Sequence, residues 1–168
     1  MMMEGYNALS VANELIAIAR DEGEYLTPLK LQKLLYFTHG YHWGIYDAPA
    51  IRHGFEAWPY GPVSREVYSA YAEYQSSPIT QPIWRQFIHA APRLSLTPGS
   101  DSVRNIAQRV WATFGKFSAV DLSMRTHVDG SPWARIKQSH PDLSASDHIE
   151  IPEQAIRDYF QGIIGAAR

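Results

Sequence analysis

The sequence predicts a compact, mainly α-helical domain with a small two- or three-stranded β element. Three observations carry that expectation. Apolar residues recur at three- and four-residue spacing along most of the chain. Helix-opening signals stand where those runs begin, with Thr27-Pro28 and Ser131-Pro132 each placing a capping hydroxyl before a proline that needs no N–H partner. Only two short stretches, His53–Trp58 and His148–Ile151, alternate in the manner of strands.

In chain order, Leu9, Ala12, Ile16 and Ala19 share one face of a first helix, which Gly23 stops. A second helix runs from Pro28 to Tyr46, with Leu31, Leu34, Leu35, Thr38 and Tyr41/His42 in one stripe. The strand His53–Trp58 follows, then a bend at Trp58-Pro-Tyr-Gly-Pro62. Pro62 is expected to open a third helix, with Val63, Val67, Ala70/Tyr71 and Tyr74 along one side. Residues 76–99 hold Pro78, Pro82, Pro92 and Pro98 and read as a connecting loop, with a short strand or helical turn around 83–88. Asp101–Phe114 is amphipathic and stops at Gly115. Ser118 and Asp121 form a capping box for a short helix containing Leu122. Ser131-Pro132-Trp133 starts another short helix, His148–Ile151 is a strand, and Pro152–Gly165 closes the chain as a helix.

The 168 residues fit one domain spanning 1–168. A chain of this size buries about two-thirds of its unfolded surface, so a core forms without staples. Fifteen Lys and Arg against seventeen Asp and Glu leave a net charge of −2, without the basic surplus of a phosphate-gripping domain. Cysteine is absent, which removes disulfides, thiol nucleophiles and thiolate metal sites, and a reducing cytoplasm is the natural setting. Leu9–Ala19 is too short for a membrane span and lacks the basic flank of a signal peptide.

Reaction motifs are missing: there is no phosphate loop, no dinucleotide fingerprint, no H-E-x-x-H and no G-x-S-x-G. The remaining enzyme candidate is a metal site using His39 and His42, three apart on the second helix, with His53 as a further ligand. The competing reading is that His39 and His42 are imidazoles on the surface of an amphipathic helix. No cofactor is expected. Lys30 and Lys33 stand one turn apart. Lys33 either lays its stem over the core and pairs with an acid such as Glu56 or Glu66, or belongs to a solvated face. Aromatic side chains make up 12% of the sequence, with Tyr36, Phe37, Tyr41 and Trp43 on one helix, Trp58 and Tyr60 in the bend, and Tyr68, Tyr71 and Tyr74 beyond it. Most belong in a core, and a subset left exposed would imply a protein partner.

Two ordered blocks carry a family resemblance. Leu26-Thr-Pro-Leu-Lys-Leu-Gln-Lys-Leu-Leu-Tyr36-Phe37, followed by Phe55-Glu-Ala-Trp58-Pro-Tyr-Gly-Pro-Val63 and Val67-Tyr68, resembles the Panacea domain. This is the SocA-like antitoxin family, also described as phage-associated GepA-like proteins. Leu122-Ser-Met-Arg-Thr-His127 and Ser131-Pro-Trp133 resemble its later segment, so the likeness covers about residues 8–135. The resemblance implies a mainly helical fold and a non-enzymatic, cytoplasmic, bacterial and often prophage-encoded antitoxin that binds and neutralises a cognate protein toxin encoded nearby. It also implies an alternative, an adaptor that presents a toxin to the ClpXP protease. It implies no catalytic residue; from the charge balance and the lack of an apolar span, no direct nucleic-acid contact and no membrane are expected. By position, Gly61 and Pro62 shape the backbone while Leu34, Leu35 and Val63 are core. Lys33, Tyr36, Trp58 and Tyr68 line a shared groove, and Lys30 and Tyr60 join them as partner-binding candidates.

Overall fold

The computed structural model describes residues 4–83 and 99–168. Among them are seven α-helices and one two-stranded antiparallel sheet. The chain runs α1 (Ala8–Asp21), α2 (Pro28–Tyr46), β1 (Glu56–Trp58), β2 (Gly61–Val63), α3 (Arg65–Tyr71), α4 (Asp101–Phe114), α5 (Ala119–Thr126), α6 (Pro132–Ser139) and α7 (Glu153–Ala166). Short 3-10 turns stand at Ala72–Tyr74 and Ala145–Asp147. The expected strand or turn at 83–88 lies, beyond Ile83, outside the described residues.

Local chemistry sets the helix starts. Asn7 accepts from the Leu9 amide ahead of α1, and Thr27 accepts from the Lys30 amide with Pro28 in the first position of α2. Ser118 and Asp121 close the capping box of α5, and Ser131 caps α6 through the Ala134 amide.

Helix α2 is the central element, packing on α1, α3, α4, α5, α7 and β2. One contiguous apolar core draws Val11 and Leu15 from α1, Leu31, Leu34 and Leu35 from α2, Val67 from α3, Ile106 and Val110 from α4, Leu122 from α5, and Ile156 and Phe160 from α7. Gly40 and Gly44 let α7 come close. A Cβ on Gly40 would strike the Phe160 ring, and one on Gly44 would lie 2.9 Å from the Phe160 carbonyl oxygen.

The sheet differs from expectation at Pro62. Instead of opening a helix, Pro62 sits within β2 opposite Ala57, in a hairpin that pairs Trp58 with Gly61 across the two-residue turn Pro59-Tyr60. Gly61 makes this possible with φ at +112°, which an L side chain rarely adopts. The following helix therefore begins only at Arg65, and its regular part ends at Tyr71. Strand β1 is three residues long rather than the six of His53–Trp58. His148 is left-handed at φ 53°, so the expected strand His148–Ile151 shrinks to an extended edge. That edge pairs with β1 through Ala57 N–H to the Ile149 carbonyl and Ile151 N–H to the Phe55 carbonyl, both at 2.8 Å.

Candidate functional site

The β1–β2 hairpin is fastened from below by side chains of three helices, and each takes hold of a main-chain oxygen. Lys33 Nζ of α2 donates to the Pro62 carbonyl at 2.9 Å. Ser123 Oγ of α5 donates to the Tyr60 carbonyl. Trp133 Nε1 of α6 donates to the Trp58 carbonyl at 2.7 Å. Gln32 adds a two-way grip on Ser64, donating to its carbonyl at 2.9 Å and accepting from its amide at 2.8 Å. There is no slack for a side chain at Gly61, because a Cβ there would lie 2.6 Å from Thr126 Oγ1 and 3.0 Å from Lys33 Cε.

Lys33 is fully buried and makes no ion pair with a carboxylate among the described residues. The expected pairing with Glu56 or Glu66 does not form, since Glu56 is taken by Arg65. Burial without a countercharge lowers the Lys33 amine to about 7. Close by, His127 stacks on Trp133 with ring centroids 3.7 Å apart, and its Nε2 is buried without a hydrogen-bond partner among the described residues. Burial and then the Lys33 charge hold that imidazole below its ordinary range, against the pull of the Tyr60 backbone.

Above the fastening lies an aromatic face. The Trp58 and Tyr68 rings meet edge to face at 4.6 Å. Arg65 lies over Trp58 at 5.3 Å and grips Glu56 with two hydrogen bonds of 2.9 and 2.7 Å. Trp58 Nε1 donates to the same carboxylate at 2.8 Å, and His148 Nδ1 accepts from Arg65. The hydrogen bonds from Arg65 are the main reason the Glu56 carboxyl sits below its usual range; partial burial opposes them. Tyr68 is 44% exposed and Tyr60, at the tip, 72%.

The structure therefore separates the residues expected to line one groove. Trp58, Tyr60 and Tyr68 share the hairpin and the helix that follows it. Lys33 is underneath, and Tyr36 is a core residue, its ring packed against Phe37, Phe55 and Phe160. Neither reaches the surface. Leu34, Leu35 and Val63 are buried as expected. Lys30 points elsewhere, donating to the Gly115 carbonyl at 2.6 Å and lying over Trp111.

His39 and His42 are not surface imidazoles; both are fully buried. His39 Nδ1 accepts from the Ala50 and Ile51 amides, so Nε2 carries the proton and donates to Glu153 at 2.9 Å. His42 Nδ1 donates to the Ala48 carbonyl at 2.7 Å, and Nε2 pairs with Ser102 Oγ at 2.9 Å. Every ring nitrogen of the pair is thus engaged by protein. His53 is exposed, and among the described residues no group of three or more His, Asp or Glu side chains is placed to hold a metal ion. Ser123, Trp133 and Gln32 were not singled out by the sequence as hairpin contacts. Ser123 and Trp133 lie inside the later family block, which was the available signal.

What these features define is a small helical domain that mounts a rigid aromatic hairpin on a buried polar base. No helix among the described residues is long and apolar enough to cross a membrane. The family model described as "Antitoxin SocA-like, Panacea domain" matches residues 31–134. Over 159 residues the chain is 30% identical to Antitoxin SocA of Caulobacter vibrioides (strain NA1000 / CB15N), covering 94% of this chain and 84% of that protein. The chain belongs to the SocA-like antitoxin family and carries its Panacea domain. No solved structure matches it.

Proposed function

We propose that this protein is the antitoxin of a toxin–antitoxin pair, acting in the cytoplasm by binding and neutralising a protein toxin encoded beside it, and catalysing no reaction. The observation that carries this reading is the likeness to Antitoxin SocA across nearly the whole chain. The site supports it. Its polar groups are spent on holding the hairpin, while Tyr60 and Tyr68 are exposed beside a half-buried Trp58, and aromatic residues of this kind are the usual anchors of protein interfaces.

The test is co-expression with each neighbouring reading frame. Growth arrest by one neighbour, relieved by this protein, supports the reading. A neighbour that is harmless alone, or equally lethal in its presence, defeats it. The half-life of the toxin in cells lacking ClpP then separates masking, which leaves it unchanged, from delivery to ClpXP, which lengthens it.

A further inference from the structure

A second surface, away from the hairpin, has the chemistry of a peptide site. Between α2, α4 and α7 lies a groove of about 190 Å³ lined by Tyr41, Ile106, Val110, Phe114 and Ile164, with Arg109 at its rim. That volume is below the ~300–1,000 Å³ of a small-molecule pocket and suits one or two apolar side chains. Its aromatic wall continues outward. Tyr41 and Phe114 stack with centroids 6.1 Å apart, Phe117 lies 6.4 Å beyond Phe114, and the Arg125 guanidinium sits over Phe117 at 4.1 Å. Burial, helped by Tyr159, raises the Tyr41 phenol, and the Arg125 charge acts against them, which places that cation near the groove.

Charge gives the groove its character. The whole chain is slightly acidic, yet from Ser102 to His140 it carries six Lys and Arg against two Asp and no Glu. One of those acids, Asp121, is occupied with the Ser118 amide and hydroxyl. Arg109, Lys116 and Arg125 form no ion pair among the described residues, although Arg65, Arg104 and Arg157 all do. An apolar slot with one unpaired cation at its rim and others beside its aromatic wall is complementary to an apolar side chain with neighbouring carboxylates.

We propose that the groove between α2, α4 and α7 docks an acidic peptide segment of a protein partner, with an apolar side chain in the slot and carboxylates against Arg109 and Arg125. The proposal rests on the protein-binding reading above and adds the partner's chemistry at a separate surface.

The test uses the full-length protein and a displayed library of random nonapeptides, with the exposed double variant Arg109→Glu/Arg125→Glu as counter-selection. The expected yield is peptides with Asp or Glu flanking Leu, Ile, Phe or Met. Their synthetic consensus should bind at least tenfold more weakly to the double variant, whose melting temperature should match that of the parent. Binding should weaken as salt rises, and Thr113→Trp should block it by filling the slot. The proposal falls if no peptide is enriched, if the enriched peptides show no acidic excess, or if the double variant binds them equally. It also falls if polyuridylate displaces them, or if sedimentation reveals a dimer that the double variant loses, because the groove would then serve RNA or a second copy. Protection against the toxin distinguishes the two readings. A double variant that still protects, beside a Tyr60→Ala/Tyr68→Ala variant that does not, removes the groove and leaves the antitoxin standing. If the unaltered protein protects against no neighbour, the antitoxin reading is lost whatever the peptides do.

Discussion

Around His39 and His42 each ring nitrogen has a partner, whereas around Lys33, on the same helix, a single carbonyl faces an ammonium with three hydrogens to donate. Both regions are fully buried. The histidines act as connectors: His39 ties α2 to the Ala50–Ile51 backbone and to α7, and His42 ties it to Ala48 and α4. Burial lowers the His42 imidazole and keeps it uncharged, although the Ala48 carbonyl favours the charged form. Lys33 is an amine held where its charged form is costly, and its hydrogen bond to the Pro62 carbonyl fixes the hairpin. The difference teaches that one helix can bury polar groups for cohesion at one end and for placement of a loop at the other.

The sharpest way to break the comparison is His39→Leu. It leaves the Ala50 and Ile51 amides without an acceptor and strips Glu153 of one of its two partners, Trp43 being the other, so the expected loss is roughly 3–5 kcal/mol in urea unfolding. A loss below ~1 kcal/mol would mean that the histidines are not cohesive elements. Gly61→Ala comes next, at about 3 kcal/mol, because it combines a disfavoured φ with contact against Thr126 and Lys33. Tryptophan fluorescence should report the displaced Trp58 and Trp133 in the folded variant.

The Lys33 side is sharpened by pH. In the unfolded chain this amine keeps its proton up to about 10.5, whereas in the fold it releases the proton near 7. Unfolding above pH 7 therefore takes up a proton, and raising the pH disfavours it. Stability should climb by ~2 kcal/mol between pH 7 and pH 9, before unfolded-state tyrosines begin to ionise, and that climb should vanish in Lys33→Met. Equal slopes for the two proteins would show that the amine is charged in the fold at neutral pH. The smallest stability effect is expected at the aromatic face. Tyr68→Ala should cost less than ~1 kcal/mol, because the side chain is nearly half exposed and packs on the surface ring of Trp58, yet weaken the proposed toxin binding at least tenfold. Thermal melts run beside a pull-down with the neighbouring toxin separate the two quantities.

Much of the fold was legible because its signals are local. Thr27-Pro28, the Ser118–Asp121 box and Ser131-Pro132 each mark a helix start within four residues, and α1, α2, α4 and α7 follow their apolar periodicity to within a residue or two. Pro62 departs from the expected helix start because its neighbour, Gly61, adopts a φ of +112° that the hairpin requires and that no local signal announces. The burial of the two histidines was hidden because their partners lie far along the chain, Glu153 at 114 residues from His39 and Ser102 at 60 from His42. Lys33 was half legible. Its apolar surroundings announced a buried stem, but its acceptor is a main-chain oxygen, and no side-chain identity advertises that. For the same reason the aromatic residues of the family blocks could not be sorted from sequence into Tyr36, which packs, and Tyr60, which does not.

The three grips on Trp58, Tyr60 and Pro62 seize backbone oxygens, which every amino acid supplies alike. Replacing the side chain at the tip leaves all three handles in place. Substitutions at the tip therefore change what the hairpin displays, as a toolmaker changes a bit without rebuilding the chuck, and leave the backbone that mounts it in place.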